Sequence, residues 1–170
     1  MAIREVLKMG DPRLLAPAHP VEDFASLELA QLIVDMHDTM RSLNGAGLAA
    51  PQIGVGLQVV IFEVNANPRY PEVETVPLTV LINPLLTPLS DEVEEGWEGC
   101  LSVPQYAANV HRHASVVVKA LDLDGNEKTW HAEDLLAIAF QHEIDHLDGL
   151  LFVDHLSPLK RDLFQRKARK

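Results

Sequence analysis

Only one cysteine, Cys100, stands among the 170 residues. That excludes an internal disulfide framework, and no disulfide partner is expected. No run of about 18 apolar residues occurs, so no membrane-spanning helix is predicted. The opening residues, Met1-Ala2-Ile3-Arg4-Glu5-Val6, lack the apolar core of a signal peptide. Together these absences point to the cytoplasm. Positive charge is scarce too. Lys and Arg number 14 against 25 Asp and Glu, a net charge of −11, which disfavours wholesale binding of nucleic acid. There is no internal repeat, low-complexity tract or linker. Hydrophobic content of 47% and charged content of 23% are those of an ordinary globular protein. The length fits one domain, residues 1–170, with a real core.

What is present centres on Gln141-His142-Glu143-Ile144-Asp145-His146. Two histidines four apart, with a glutamate after the first, form HExxH. On a helix that spacing sets both imidazoles on one face, one turn apart. They can hold one divalent metal, with Glu143 placed to take a proton from a water there. Asp134 to His146 contains no Gly or Pro and carries Leu135, Leu136, Ile138, Ala139, Phe140 and Ile144. A helix with Gly149 as its stop follows. Apolar flanks suggest burial, and buried imidazoles and a carboxylate need partners. A bare HExxH on a solvated surface helix is the bland alternative.

A catalytic metal of this type takes three protein ligands. The HExxHxxGxxH pattern of metallopeptidases runs correctly to Gly149 and then meets Phe152 where a third histidine belongs. The third ligand must come from elsewhere, and Cys100, as a soft thiolate donor, is the best candidate.

Elsewhere, three prolines in residues 1–22 predict an extended segment over the surface. An apolar stripe through Leu29, Leu32, Ile33, Met36, Met40 and Leu43 predicts a helix over Phe24–Asn44, ended by Gly45. Strands are expected over Leu57–Val64 and Val76–Asn83, the second closed by Pro84, with a loop at residues 65–74 between them. Leu85–Trp97 mixes short β segments with an acidic stretch. Trp97 either packs the core or lines a groove. Ser115–Leu123 and Glu127–His131 flank Asp124-Gly125-Asn126, a hairpin signal. Leu150–Leu156 reads as a short strand. Ser157-Pro158 then caps a basic C-terminal helix. Residues 160–170 carry +5 on a body of −16. Such a tail is either a solvated helix or a docking element for an anionic partner.

Three motifs stand in order: Gly45-Ala46-Gly47-Leu48-Ala49-Ala50-Pro51-Gln52, then Glu98-Gly99-Cys100-Leu101-Ser102, then Gln141 to Gly149. With these the chain resembles the peptide deformylases over essentially its whole length. The resemblance implies an α+β fold. Mixed, mainly antiparallel β-sheets would pack around a central HExxH-bearing helix, with an N-terminal helix and a C-terminal helix. It implies a metal-dependent hydrolase that removes the formyl group from the N-terminal formyl-methionine of newly made polypeptides, releasing formate. Cys100, His142 and His146 would hold one divalent metal, Fe2+ in the cell, with Zn2+, Ni2+ or Co2+ as substitutes. Glu143 would move the proton. The Gln52 amide and the Leu101 N–H would hold the oxyanion, and Gly47 and Gly99 would border the substrate. Arg112 would brace the ligands through Glu98 or Asp145. The partners implied are nascent formyl-methionyl peptides and, through the basic C-terminal helix, the ribosome. Two features depart from many relatives: Ala46 replaces a larger aliphatic residue, and Gln105-Tyr106-Ala107-Ala108 lacks an arginine. A catalytically idle relative that binds nascent chains and an HExxH zinc peptidase are the alternatives.

Overall fold

The computed structural model describes residues 2–65 and 75–160. Helix α1 spans Leu27–Ser42, and strand β1 is Gly47–Ala49. Then come β2 (Val59–Val64), β3 (Val76–Pro88), β4 (Val93–Cys100), β5 (Val103–His113), β6 (Ser115–Leu121) and β7 (Glu127–Glu133). Helix α2, Asp134–Leu147, carries HExxH. Five strands form one sheet in the order β1-β2-β3-β6-β7, and β4 pairs with β5 in a second. Every strand pair is antiparallel. The expected α+β architecture is what forms.

Strand β2 explains the layering. Its run VVIFEV is almost wholly apolar because both of its faces are buried. Val59 and Ile61 join Leu32, Met36 and Met40 of α1 in one core. The alternate residues, Val60 and Phe62, join Ala137, Phe140 and Leu147 of α2 in another. Phe62 meets Phe140 edge to face at a centroid distance of 4.9 Å, a favoured aromatic geometry. A third core packs β5 against Met9 and Leu151 to Val153. The HExxH helix is thus held from several sides, which fixes its side chains.

Local chemistry sets the boundaries. The Ser26 hydroxyl caps α1 by accepting from Leu29 N–H at 3.1 Å, satisfying a donor that the first turn leaves free. Asn44, at φ 53°, ends α1, one residue before the predicted Gly45. Asn tolerates this left-handed conformation better than most residues. The expected hairpin forms. Asp122 Oδ1 accepts from the N–H groups of Asp124 and Asn126, and Gly125 takes φ 80°.

Three expectations need correction. Pro84 does not close β3, which runs to Pro88. The register shifts between Ile82 and Leu85, and Asn83 sits at φ 51°. A bulge is where a strand accommodates a residue that cannot donate to the ladder. Leu150–Leu156 is not a strand. Residues Phe152–His155 form a 3-10 turn, closed where Leu151 N–H donates to Asp154 Oδ2 at 2.8 Å. The N-terminal segment is more than a surface cover, since Val6, Leu7, Met9 and Leu14 are buried. It straps the site loops together: Leu7 N–H donates to Gln52 O at 2.7 Å and Met9 N–H to Ser102 O at 2.8 Å. Residues 158–160 are helical. The rest of the predicted basic C-terminal helix lies outside the described residues, as do residues 66–74 of the loop predicted over 65–74.

Candidate metal centre and substrate cleft

Two elements far apart in sequence build the centre. Helix α2 presents His142, Glu143 and His146 on its buried side. The turn joining β4 to β5 presents Cys100. One donor atom from each of Cys100, His142 and His146 lies within 4.8 Å of the others. The Cys100 Sγ to His146 Nε2 distance is 3.5 Å. Burial alone would raise the Cys100 thiol. The two histidines outweigh it and hold the thiol well below its ordinary value. His142 shows the converse. Burial opposes its charging, yet the adjacent thiolate and Glu98 push it well up. A thiolate and two imidazoles packed this tightly are a donor set that fits a divalent transition metal. The tautomer of His142 fits as well. Its Nδ1 faces Glu98 Oε1 at 2.8 Å, which leaves Nε2 for the metal side.

Behind His142 stands a buried charge network. The Arg112 guanidinium grips Glu98 with two bonds, Nε to Oε2 and Nη2 to Oε1, both 2.9 Å. Its Nη1 reaches Asp145 Oδ2 at 2.6 Å. The bracing arginine therefore serves Glu98 and Asp145 together. Burial alone would raise both carboxyls, but their partners win and hold them low: Arg112 and His142 for Glu98, His155 and Arg112 for Asp145. Both stay ionised, as an acceptor for a ligand histidine must.

Glu143 sits differently. It is buried, its Oε2 has no hydrogen-bond partner, and its Oε1 lies 3.9 Å from His142 Nε2. Desolvation raises its carboxyl above the usual range, the direction that suits a proton carrier near neutral pH. Gly47 lies against it. A Cβ there would meet Glu143 Oε1 at 2.9 Å, so only glycine leaves the carboxylate its place. Gln52 is also fixed. Its Oε1 accepts from Ala49 N–H at 3.0 Å, which turns Nε2 toward Ser102 Oγ at 3.1 Å and Cys100 Sγ at 3.6 Å.

A cleft of about 600 Å³ opens beside the centre. Gly45, Gly47, Gln52, Gly99, Leu101, His142 and Glu143 line it together with Cys100. Phe62, Val64, Trp97, Leu135 and Ile138 give it apolar walls. Trp97, 76% exposed, belongs to this groove and not to the core. Ala46 adds only a methyl group to this wall.

The metallopeptidase alternative fails at its third ligand. Phe152 stacks on His142 at a centroid distance of 6.0 Å, Asp154 caps the Leu151 backbone, and His155 binds Asp145. The family model for polypeptide deformylase matches residues 3–162. The chain belongs to the polypeptide deformylase family. A peptide deformylase of Nitrosomonas europaea is 52% identical over 159 residues, 94% of this chain and 90% of that one. A crystal structure of peptide deformylase from Ehrlichia chaffeensis in complex with actinonin superposes with a TM-score of 0.89. Its identity is 36%, covering 99% of this chain and 97% of the other. A Met-Ala-Ser-bound class I type b peptide deformylase from Acinetobacter baumannii gives a TM-score of 0.87 at 39% identity, covering 91% of this chain and 99% of the other. This deformylase is a hydrolase that removes the formyl group from N-formyl peptides. No helix among the described residues is long and apolar enough to cross a membrane.

Sequence reasoning missed several parts of the site. Gln141 clips α2 to the end of β5, donating to His113 O at 2.8 Å and accepting from His113 N–H at 3.0 Å. Its place directly before HExxH was the available signal. Ser102 closes the Glu98-Gly99-Cys100-Leu101-Ser102 motif, which was its signal, whereas His155 has no spacing that marks it.

Proposed function

We propose that Cys100, His142 and His146 hold one divalent metal, Fe2+ in the cell, with Zn2+, Ni2+ or Co2+ able to replace it. The juxtaposition of thiolate, two imidazoles and a buried carboxylate at the mouth of one cleft carries this reading. Such an ion, when bound, lowers the pKa of water and polarises a carbonyl. The remaining work falls to the chain. Glu143 takes the proton of the attacking water on its carboxylate and returns it to the departing amide nitrogen. The Gln52 Nε2 amide and the Leu101 N–H donate to the oxygen that gains charge as the formyl carbon becomes tetrahedral. Gly47 and Gly99 let the substrate backbone come close. Water adds across the formyl C–N bond, giving formate and a free amino terminus. The single domain over residues 1–170 acts in the cytoplasm on nascent formyl-methionyl chains. The basic segment from Lys160 docks on the ribosome, where the opposite charge lies. The Met-Ala-Ser occupant of the Acinetobacter relative supports a peptide terminus in this cleft.

The test is formate release from a formyl-methionyl peptide. Protein purified without oxygen is supplied in turn with iron, nickel, cobalt and zinc, beside Glu143→Ala. Release that requires a metal and vanishes in the variant is expected. A protein that binds one metal stoichiometrically and releases no formate would overturn the assignment of roles.

A further inference from the structure

We infer that His155 is a positioning residue for the metal-binding imidazole of His142, acting through Asp145, Arg112 and Glu98. This rests on reading Cys100, His142 and His146 as the metal site. His155 belongs to the 3-10 turn after α2, and its side chain is 36% exposed. Its Nε2 stands 2.7 Å from Asp145 Oδ2 and 3.1 Å from Arg112 Nη1. A distance of 2.7 Å to a carboxylate requires the proton on Nε2, donated to Asp145. Asp145 Oδ2 thus receives two short bonds, one from His155 and one from Arg112 Nη1 at 2.6 Å. That double hold fixes the outer edge of the guanidinium. The inner edge then meets Glu98 with both bonds at 2.9 Å, and Glu98 Oε1 receives His142 Nδ1 at 2.8 Å. An unbroken line of charge-assisted bonds therefore runs from a half-exposed imidazole to a metal ligand. In a poorly screened interior each bond sharpens the next.

The geometry also shows what removal would do. Arg112 and Glu98 are sealed, with side-chain exposures of 4% each, whereas Asp145 is at 19%. The imidazole covers the wet end of the line. Without it water competes for Asp145 Oδ2, Arg112 Nη1 gains freedom to turn outward, and the Glu98 acceptor shifts under His142. The effect is expected at the metal and less in the binding of peptide.

The experiment uses the full chain loaded with zinc or cobalt, as wild type, His155→Leu and His155→Gln. Gln carries an amide N–H at about the position of Nε2; Leu fills the space without a donor. Two readouts are taken: the rate of metal transfer to a chelator, and the proton resonance of His142 Nδ1–H in the zinc protein labelled with 15N-histidine. His155→Leu is expected to lose metal roughly three- to tenfold faster, and to move that resonance and quicken its exchange with water. His155→Gln is expected to return within about twofold of wild type. A leucine variant with the wild-type resonance and release rate overturns the inference. So does a glutamine variant as impaired as leucine, since that would assign His155 to packing alone. If wild type takes up no metal, the metal reading itself fails and this inference falls with it.

Discussion

Replacing Gly47 by alanine tests whether Glu143 must stand where it does. The new methyl would meet Glu143 Oε1 at 2.9 Å, Cγ at 3.0 Å and Cδ at 3.1 Å. Ordinary contact begins at 3.4 Å, so the carboxyl must withdraw by about 0.5 Å. It has little room for that, since Oε2 is already buried and His142 Nε2 lies beyond Oε1 at 3.9 Å. A misplacement near 1 Å costs about a hundredfold in rate, so roughly ten- to a hundredfold is expected here, or ~1.4–2.7 kcal/mol of barrier. Stability should change less. Overpacking costs about 1–3 kcal/mol, and the stiffer unfolded chain returns about 0.5–1 kcal/mol. A Tm loss of about 2–4 °C per kcal/mol follows for a chain of this size. The assay is kcat and KM for formate release, with metal content measured on the same sample. Gly56→Ala, whose Cβ would meet no atom within 4 Å, is the control. A Gly47→Ala enzyme with full metal, wild-type kcat and wild-type KM would refute the placement of the proton carrier.

Arg112→Met strands two buried carboxylates and should cost about 3–5 kcal/mol; a thermal midpoint within about 2 °C of wild type would contradict the network. Glu98 and Asp145 have depressed folded values, so their stabilisation is present above the unfolded values of 4.5 and 3.8 and is lost as pH falls through the lower folded ones. Urea midpoints of wild type should drop steeply on acidification below about pH 4.5, and less steeply in Arg112→Met. Glu143 has the opposite sign: burial raises it, so its contribution is lost as pH rises through the folded value. Glu143→Gln should therefore stabilise the metal-free protein more at pH 7 than at pH 4. A variant that loses stability at pH 7 would show the carboxylate to be better compensated than its surroundings indicate.

The two alternative readings part at residues the fold brings together. An idle binder would have no reason to keep Gly47 clear for Glu143, or to turn Gln52 toward Cys100. Both features concern atoms to which the proposed mechanism gives the proton transfer and the oxyanion contact.

Much of this was legible in the sequence because it is local. A helical repeat of 3.6 residues places His142 and His146 together wherever that helix lies. The stripe from Leu29 to Met40 specifies a buried face, and Asp124-Gly125-Asn126 specifies a turn. The lone Cys100 and the three motifs identified the family. What the tertiary structure alone decided are the meetings between segments. Cys100 reaches His146 across 46 positions, and Arg112 reaches Asp145 across 33. Strand β5 escaped notice because one of its inward positions holds Arg112, a charge that breaks the apolar alternation by which strands are recognised. That charge is tolerated inside because Glu98 and Asp145 wait there to meet it. Gly47 reads in sequence as a flexible loop residue; only the packed fold shows that it is the space Glu143 needs. His155 carries no spacing that marks it, since its partners are fixed by the turn after α2 and not by its distance along the chain. Spacing determines which groups one element presents, whereas packing decides which of them share a site.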